Sequence, residues 1–107
     1  MVNENLLWQR LIEKLDEFAR HMLTNAKNDP AWEKYAKYVK EAYVSITDTY
    51  ANPALISEVS IGGIVSGLVR YFDEFDWNLQ GYDKALIYLD QLTELANQLR
   101  NKSETQV

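Results

Sequence analysis

The sequence predicts an all-α chain folded as one antiparallel four-helix bundle. Two observations carry this. In four separate stretches apolar residues recur three and four positions apart, which marks helices with one buried face. The links between those stretches, Asn28-Asp29-Pro30, Asn52-Pro53 and Leu79-Gln80-Gly81, are short, so consecutive helices must run antiparallel. With only 4 Gly and 2 Pro in 107 residues, an all-β sandwich and a disordered chain are both disfavoured.

The first helix is expected over about residues 5–27. Leu7, Leu11, Leu15, Phe18, Met22 and Ala26 form its inner stripe, widened by Ile12, Ala19 and Leu23. Asn5 is the candidate N-cap. Asp16–Arg20 and Glu17–His21 are spaced to pair on the outer face. Pro30 disfavours helical geometry at Asp29 and suits a first helical position, so Asp29 should cap the second helix.

That helix is expected over 30–49. Its stripe is Trp32, Tyr35, Ala36, Val39, Ala42, Tyr43 and Ile46, and Lys34, Lys37 and Lys40 lie outside. Glu33–Lys37 and Lys37–Glu41 stand at pairing distance.

The third helix, expected over 53–77, lies in the most apolar stretch of the chain. Residues 52–79 contain one Arg and no Lys. Ile61, Val65, Leu68, Phe72, Phe75 and Leu79 make the stripe, with Ser60, Gly63 and Gly67 beside it. Gly62 and Gly63 each cost about 1 kcal/mol in a helix interior. Either the helix bends there, with Ser60 as a second cap, or the glycines admit a close neighbour; a single helix with a local irregularity is the expectation. Gly63 to Gly67 is also a GxxxG pattern, read here as internal packing. The fourth helix is expected over 82–100, with Leu86, Leu89, Leu92, Ala96 and Leu99 inside, widened by Tyr82, Ala85 and Leu95. Residues 102–107 read as a frayed polar tail.

The length fits one domain spanning residues 1–101 and the tail. Hydrophobic residues make up 47% of the chain, enough for a core. There is no Cys, which removes disulfides, thiolate metal sites and Cys nucleophiles. No signal peptide is read in MVNENLLWQRLIEK, which lacks a basic start and an unbroken apolar run. No window approaches the roughly 18 uncharged apolar residues of a spanning helix. These features are compatible with a cytosolic protein. The net charge is −5, which argues against tight nucleic-acid binding and suits solubility or a basic partner.

No catalytic motif is present, so no enzyme activity, cofactor or metal is expected. His21 is the single histidine and reads as surface decoration. Di-iron bundles need Glu-x-x-His on two helices, and that motif does not occur here. Asp73, Glu74 and Asp76 gather at the expected end of the third helix, with Asp83 close by. Helical spacing would fan them apart, and no EF-hand pattern is present, so a hard cation is not expected. Acids at a helix C-terminus oppose its dipole, which makes the cluster unusual as plain surface. Of the 13 aromatic residues, Trp8, Tyr38, Tyr50, Tyr71, Trp77 and Tyr88 do not all fit inner stripes. Trp77 and Tyr82 flank the turn beside the acids, and exposed aromatics are enriched at binding surfaces. The expected partner-binding residues are Asp73, Glu74, Asp76, Trp77 and Tyr82.

The order of elements resembles a known family. A first amphipathic helix leads to Lys27-Asn28-Asp29-Pro30 and a Lys- and Tyr-bearing helix. Asn52-Pro53-Ala54-Leu55-Ile56 then opens an apolar helix, and Tyr82-Asp83-Lys84-Ala85-Leu86 leads into Leu89-Asp90-Gln91-Leu92-Thr93-Glu94-Leu95-Ala96. This is similar to the immunity proteins of pediocin-like (class IIa) bacteriocins. The resemblance implies a cytosolic four-helix bundle that protects a producing bacterium from its own pore-forming peptide. It implies a protein partner, a membrane sugar-transport permease engaged by the bacteriocin, with peripheral membrane contact and specificity in the C-terminal half. The alternative reading is a small acidic phage or bacterial inhibitor that occupies a basic surface of its partner.

Overall fold

The computed structural model describes residues 4–52 and 61–105. Four helices run in order: α1 over Glu4–Asn28, α2 over Glu33–Ala51, α3 over Ile61–Phe72 and α4 over Tyr82–Thr105. A 3-10 turn, Pro30–Trp32, leads into α2. The described part measures 45 × 22 × 20 Å. α1 packs on α2 and α4, and α3 packs on α4 and, least extensively, on α2. The fold is thus the all-α four-helix bundle that the apolar periodicity predicts.

The core follows the stripes closely. Leu7, Leu11, Leu15, Phe18 and Met22 of α1 are buried, as are Tyr35, Ala36, Val39, Ala42 and Ile46 of α2. Val65, Leu68 and Phe72 come from α3, and Ala85, Leu89, Leu92, Ala96 and Leu99 from α4. Two expected members stand outside. Leu23 is 43% exposed. Leu86 is 42% exposed, and Ala85 takes its place with none of its surface exposed. The 4-3-4-3 spacing of Ala85, Leu89, Leu92, Ala96 and Leu99 sets the register. Leu86 is about 100° around the helix from Ala85, so side-chain size pointed to the wrong member of the pair.

The first boundary forms as expected. Asp29 is extended and its carboxylate accepts from Ala31 N at 3.0 Å. Asn5 is not a cap: α1 already includes Glu4, and the Asn5 side chain accepts from the Tyr50 hydroxyl of α2 instead. Trp8 stacks on the same Tyr50 ring at 5.6 Å, closing this end of the α1–α2 contact. α2 continues to Ala51, two residues past the expected end. Helix-weakening residues there are compensated by packing, since Thr49 is buried and its hydroxyl donates to Ser45 O at 2.8 Å.

The third helix ends at Phe72 rather than 77. Asp73 and Glu74 stand directly at its C-terminal end, where carboxylates still oppose the helix dipole. Its expected start at Pro53 and the possible cap at Ser60 lie outside the described residues. Gly62 and Gly63 are within the regular helix and exposed. A Cβ on Gly62 would meet nothing within 4 Å, so Gly62 is not a packing notch. Gly67 is one: its Cβ would lie 2.7 Å from the Tyr38 hydroxyl of α2. α4 runs on to Thr105, so residues 102–105 of the expected tail are helical. No Gly or Pro in 101–105 stops the helix there.

Candidate functional site

The nine residues between α3 and α4 form a turn with two anchored ends and a raised middle. α3 winds down through Asp73 N to Val69 O, Glu74 N to Tyr71 O and Phe75 N to Phe72 O, each 3.1 Å. The last two are three-residue bonds, the usual tightening at a helix end. Phe75 then sends its ring back into the bundle, 4.7 Å from Trp32, 5.4 Å from Tyr35 and 5.6 Å from Tyr71 between ring centroids.

Beyond this anchor the chain makes two successive β-turns. Leu79 N donates to Asp76 O at 3.1 Å, with Trp77 and Asn78 at the corner. Tyr82 N donates to Leu79 O at 3.1 Å, with Gln80 and Gly81 at the corner. Gly81 has φ +86, the left-handed geometry that the third position of a type II turn requires. Its carbonyl accepts from Ala85 N at 3.1 Å and so opens α4.

The raised middle is exposed. Trp77 shows 76% of its surface, the most of any exposed large apolar side chain described. Asp73, Glu74, Asp76 and Asn78 are exposed around it. The Asn78 amide nitrogen, turned toward Asp76, lies 3.0 and 3.2 Å from the two carboxylate oxygens. Between Arg70 and Lys84 the chain has four acids and no basic residue. Two ion pairs, Lys14–Glu17 and Asp16–Arg20, lie on α1, away from the turn. Indole and carboxylates presented together are recognition chemistry for a partner with an apolar pocket and cationic groups.

Tyr82 stands differently from the other expected contact residues. It is half-buried and stacks on Phe72 at 4.5 Å with 27° between the rings. Its ring is a wall of the core, supporting the turn from beneath. The structure thus brings Asp73, Glu74, Asp76 and Trp77 onto one exposed turn and places Tyr82 under it.

What holds the turn was not legible in the sequence. Trp32, fully buried, donates from Nε1 to Gln80 O at 3.0 Å. His21 Nε2 lies 3.3 Å from Gly81 O and 3.1 Å from Asn25 Nδ2, and its ring leans on Tyr88 at 5.6 Å. The expected Glu17–His21 pairing gives way to this contact, and Glu17 meets Lys14 at 3.0 Å instead. Asn25 is 9% exposed and fills the space where a Gly81 side chain would stand. A polar residue three positions after Met22, on the apolar stripe, was the one available signal.

Beneath the turn, Tyr35 donates from its hydroxyl to Leu68 O at 2.8 Å. Burial pushes its phenol well above the ordinary tyrosine range, with Tyr38, Asp73 and Tyr71 adding to the rise. Tyr35 is therefore a neutral donor that joins α2 to α3.

Other candidates lie apart. Lys34, Lys37 and Lys40 are all exposed. A shallow groove of about 370 Å³ between α1 and α4 is bordered by charges of both signs, including Arg10, Lys14, Glu17 and Glu94. Among the described residues no group of three or more His, Cys, Asp or Glu side chains could hold a metal ion, and no helix is long and apolar enough to cross a membrane. No family model, curated protein or solved structure matches the chain.

Proposed function

We propose that this chain is an immunity protein of the pediocin-like bacteriocin type, a binding module without chemistry that acts in the bacterial cytoplasm. In this reading it protects the producing cell at the complex of bacteriocin and membrane sugar-transport permease, touching the membrane surface peripherally. The resemblance in element order motivates the family. The observation that carries a binding role is Trp77, almost bare to solvent on a turn tied at both ends. A large apolar side chain costs free energy in water, about 25 cal/mol per Å² of apolar area. A partner that buries it recovers that energy, and a turn already ordered loses little entropy on binding. The contact residues are Trp77, Asp73, Glu74 and Asp76, with Tyr82 as support.

The test is protection. Cytoplasmic expression in a strain sensitive to pediocin-like peptides should raise resistance to one or a few members of a panel. No protection by soluble, folded protein against the whole panel would sink the immunity reading.

The second reading is an acidic inhibitor covering a basic surface. The exposed carboxylates of Asp73, Glu74 and Asp76 favour it. Salt separates the two: binding held by these charges weakens steeply with ionic strength, whereas binding anchored by Trp77 weakens little.

A further inference from the structure

We infer that Trp32 and His21 are positioning residues for the contact turn: from α1 and the start of α2, they hold Asp76-Trp77-Asn78 in the raised, exposed geometry. This rests on the reading of that turn as the contact surface. The turn is held at Phe75 on one side and at Gln80–Gly81 on the other, and only four residues, Asp76 to Leu79, lie between them. Trp32 touches both sides. Its ring packs on Phe75 at 4.7 Å and on Phe72 at 5.9 Å, and its Nε1–H reaches Gln80 O at 3.0 Å. One buried side chain therefore sets the distance across the base of the peak.

His21 fixes the second attachment from a different helix. In the tautomer with the proton on Nε2 it donates to Gly81 O, 3.3 Å away; in the other tautomer that nitrogen accepts from Asn25 Nδ2, 3.1 Å away, so the two bonds are alternatives. Asn25 is packed under Gly81, so the Gly81 peptide is held from below and from the side. Gln80 sits at a β-turn corner and Trp32 supplies the donor for its carbonyl, whereas Gly81 O already accepts from Ala85 N and His21 adds a second contact to it. Trp77 itself contributes nothing to this arrangement, being exposed. Its orientation is set by residues more than 40 positions earlier in the sequence.

The experiment measures turn order and function on the same variants. Trp32→Phe keeps a ring on Phe75 and Phe72 but removes the donor. His21→Ala removes the second bond with little loss of core, and His21→Gln restores an N–H donor. Amide hydrogen exchange is followed for the main-chain donors Leu79 and Tyr82, with the α1–α2 core as internal reference. Trp32→Phe and His21→Ala should each speed exchange at Leu79 and Tyr82 at least tenfold while the core reference holds. His21→Gln should recover most of the protection. Unchanged exchange at the turn, or the same acceleration throughout the protein, overturns the positioning role. If the turn loosens selectively but bacteriocin protection is undiminished, positioning stands and the turn as contact surface falls.

Discussion

The hydroxyl of Tyr35 donates to the main-chain oxygen of Leu68 at 2.8 Å, joining α2 to α3 along their lightest contact. The bond lies within the aromatic cluster of Phe18, Trp32, Tyr71, Phe72 and Phe75 that fills the turn end of the bundle. Tyr35→Phe preserves the ring contacts and removes only the donor. A net loss of about 1 kcal/mol is expected in chemical denaturation at neutral pH. A loss well above 3 kcal/mol would mean that the ring packing had also changed.

The same residue makes a pH prediction. Its folded phenol titrates above the unfolded one, so its stabilisation is fully present below the ordinary tyrosine value near 10. Above that value the unfolded chain releases the proton and the folded chain keeps it. Stability then falls by up to about 1.4 kcal/mol per pH unit from this group. In denaturation curves between pH 9 and 11, the wild-type chain should lose stability more steeply than Tyr35→Phe. Parallel slopes would remove the burial argument.

The two glycines of α3 should respond differently to alanine. Gly62 faces open space, and Gly62→Ala is expected to stabilise by up to about 1 kcal/mol through helix propensity. Gly67→Ala gains the same propensity but puts a Cβ 2.7 Å from the Tyr38 hydroxyl. That hydroxyl must swing outward and α2–α3 packing loosens. Thermal unfolding should rank Gly62→Ala above Gly67→Ala; the reverse order would contradict the close approach of Tyr38.

Register on α4 is checked by a pair of truncations. Leu92 is fully buried, so Leu92→Ala should cost about 2–5 kcal/mol. Leu86, 42% exposed, should cost under about 1 kcal/mol. Urea midpoints that fell equally for both would place Leu86 in the core after all.

That pair also shows where sequence reading stops. Periodicity identified each helix and nearly every core residue, because burial on a helix depends on spacing that the chain states openly. It put both Ala85 and Leu86 on the inner face of α4, and only Ala85 is buried, because the larger side chain sits on the wrong side of the register. The acids at 73, 74 and 76 were visible as an anomaly for a helix end, and the anomaly persists: the helix ends at Phe72, with Asp73 and Glu74 directly after it. The sequence placed Trp32 in the core and His21 on the surface but showed neither as a partner of the turn, because what they meet are main-chain carbonyls at Gln80 and Gly81. Nothing in the side-chain pattern of residues 80 and 81 marks a carbonyl as an acceptor for a helix some 50 residues away.

Trp77 separates stability from recognition more cleanly than any other residue. With 76% of its surface exposed, Trp77→Ala removes little buried area, and its unfolding free energy should stay within about 0.5 kcal/mol of wild type. If the turn is the contact surface, the same change removes the central anchor, and truncation of such a Trp costs about 2 kcal/mol or more of binding. That is at least about a thirtyfold loss of affinity. Replacing Asp73, Glu74 and Asp76 by Asn should also leave the fold in place, since all three are exposed. Its effect on binding should be large at low salt and shrink as salt rises, because these charges act through a screened field. Binding and protection measured for both variants beside their unfolding curves decide the matter. Full protection by a stable Trp77→Ala protein would show that the turn meets no partner.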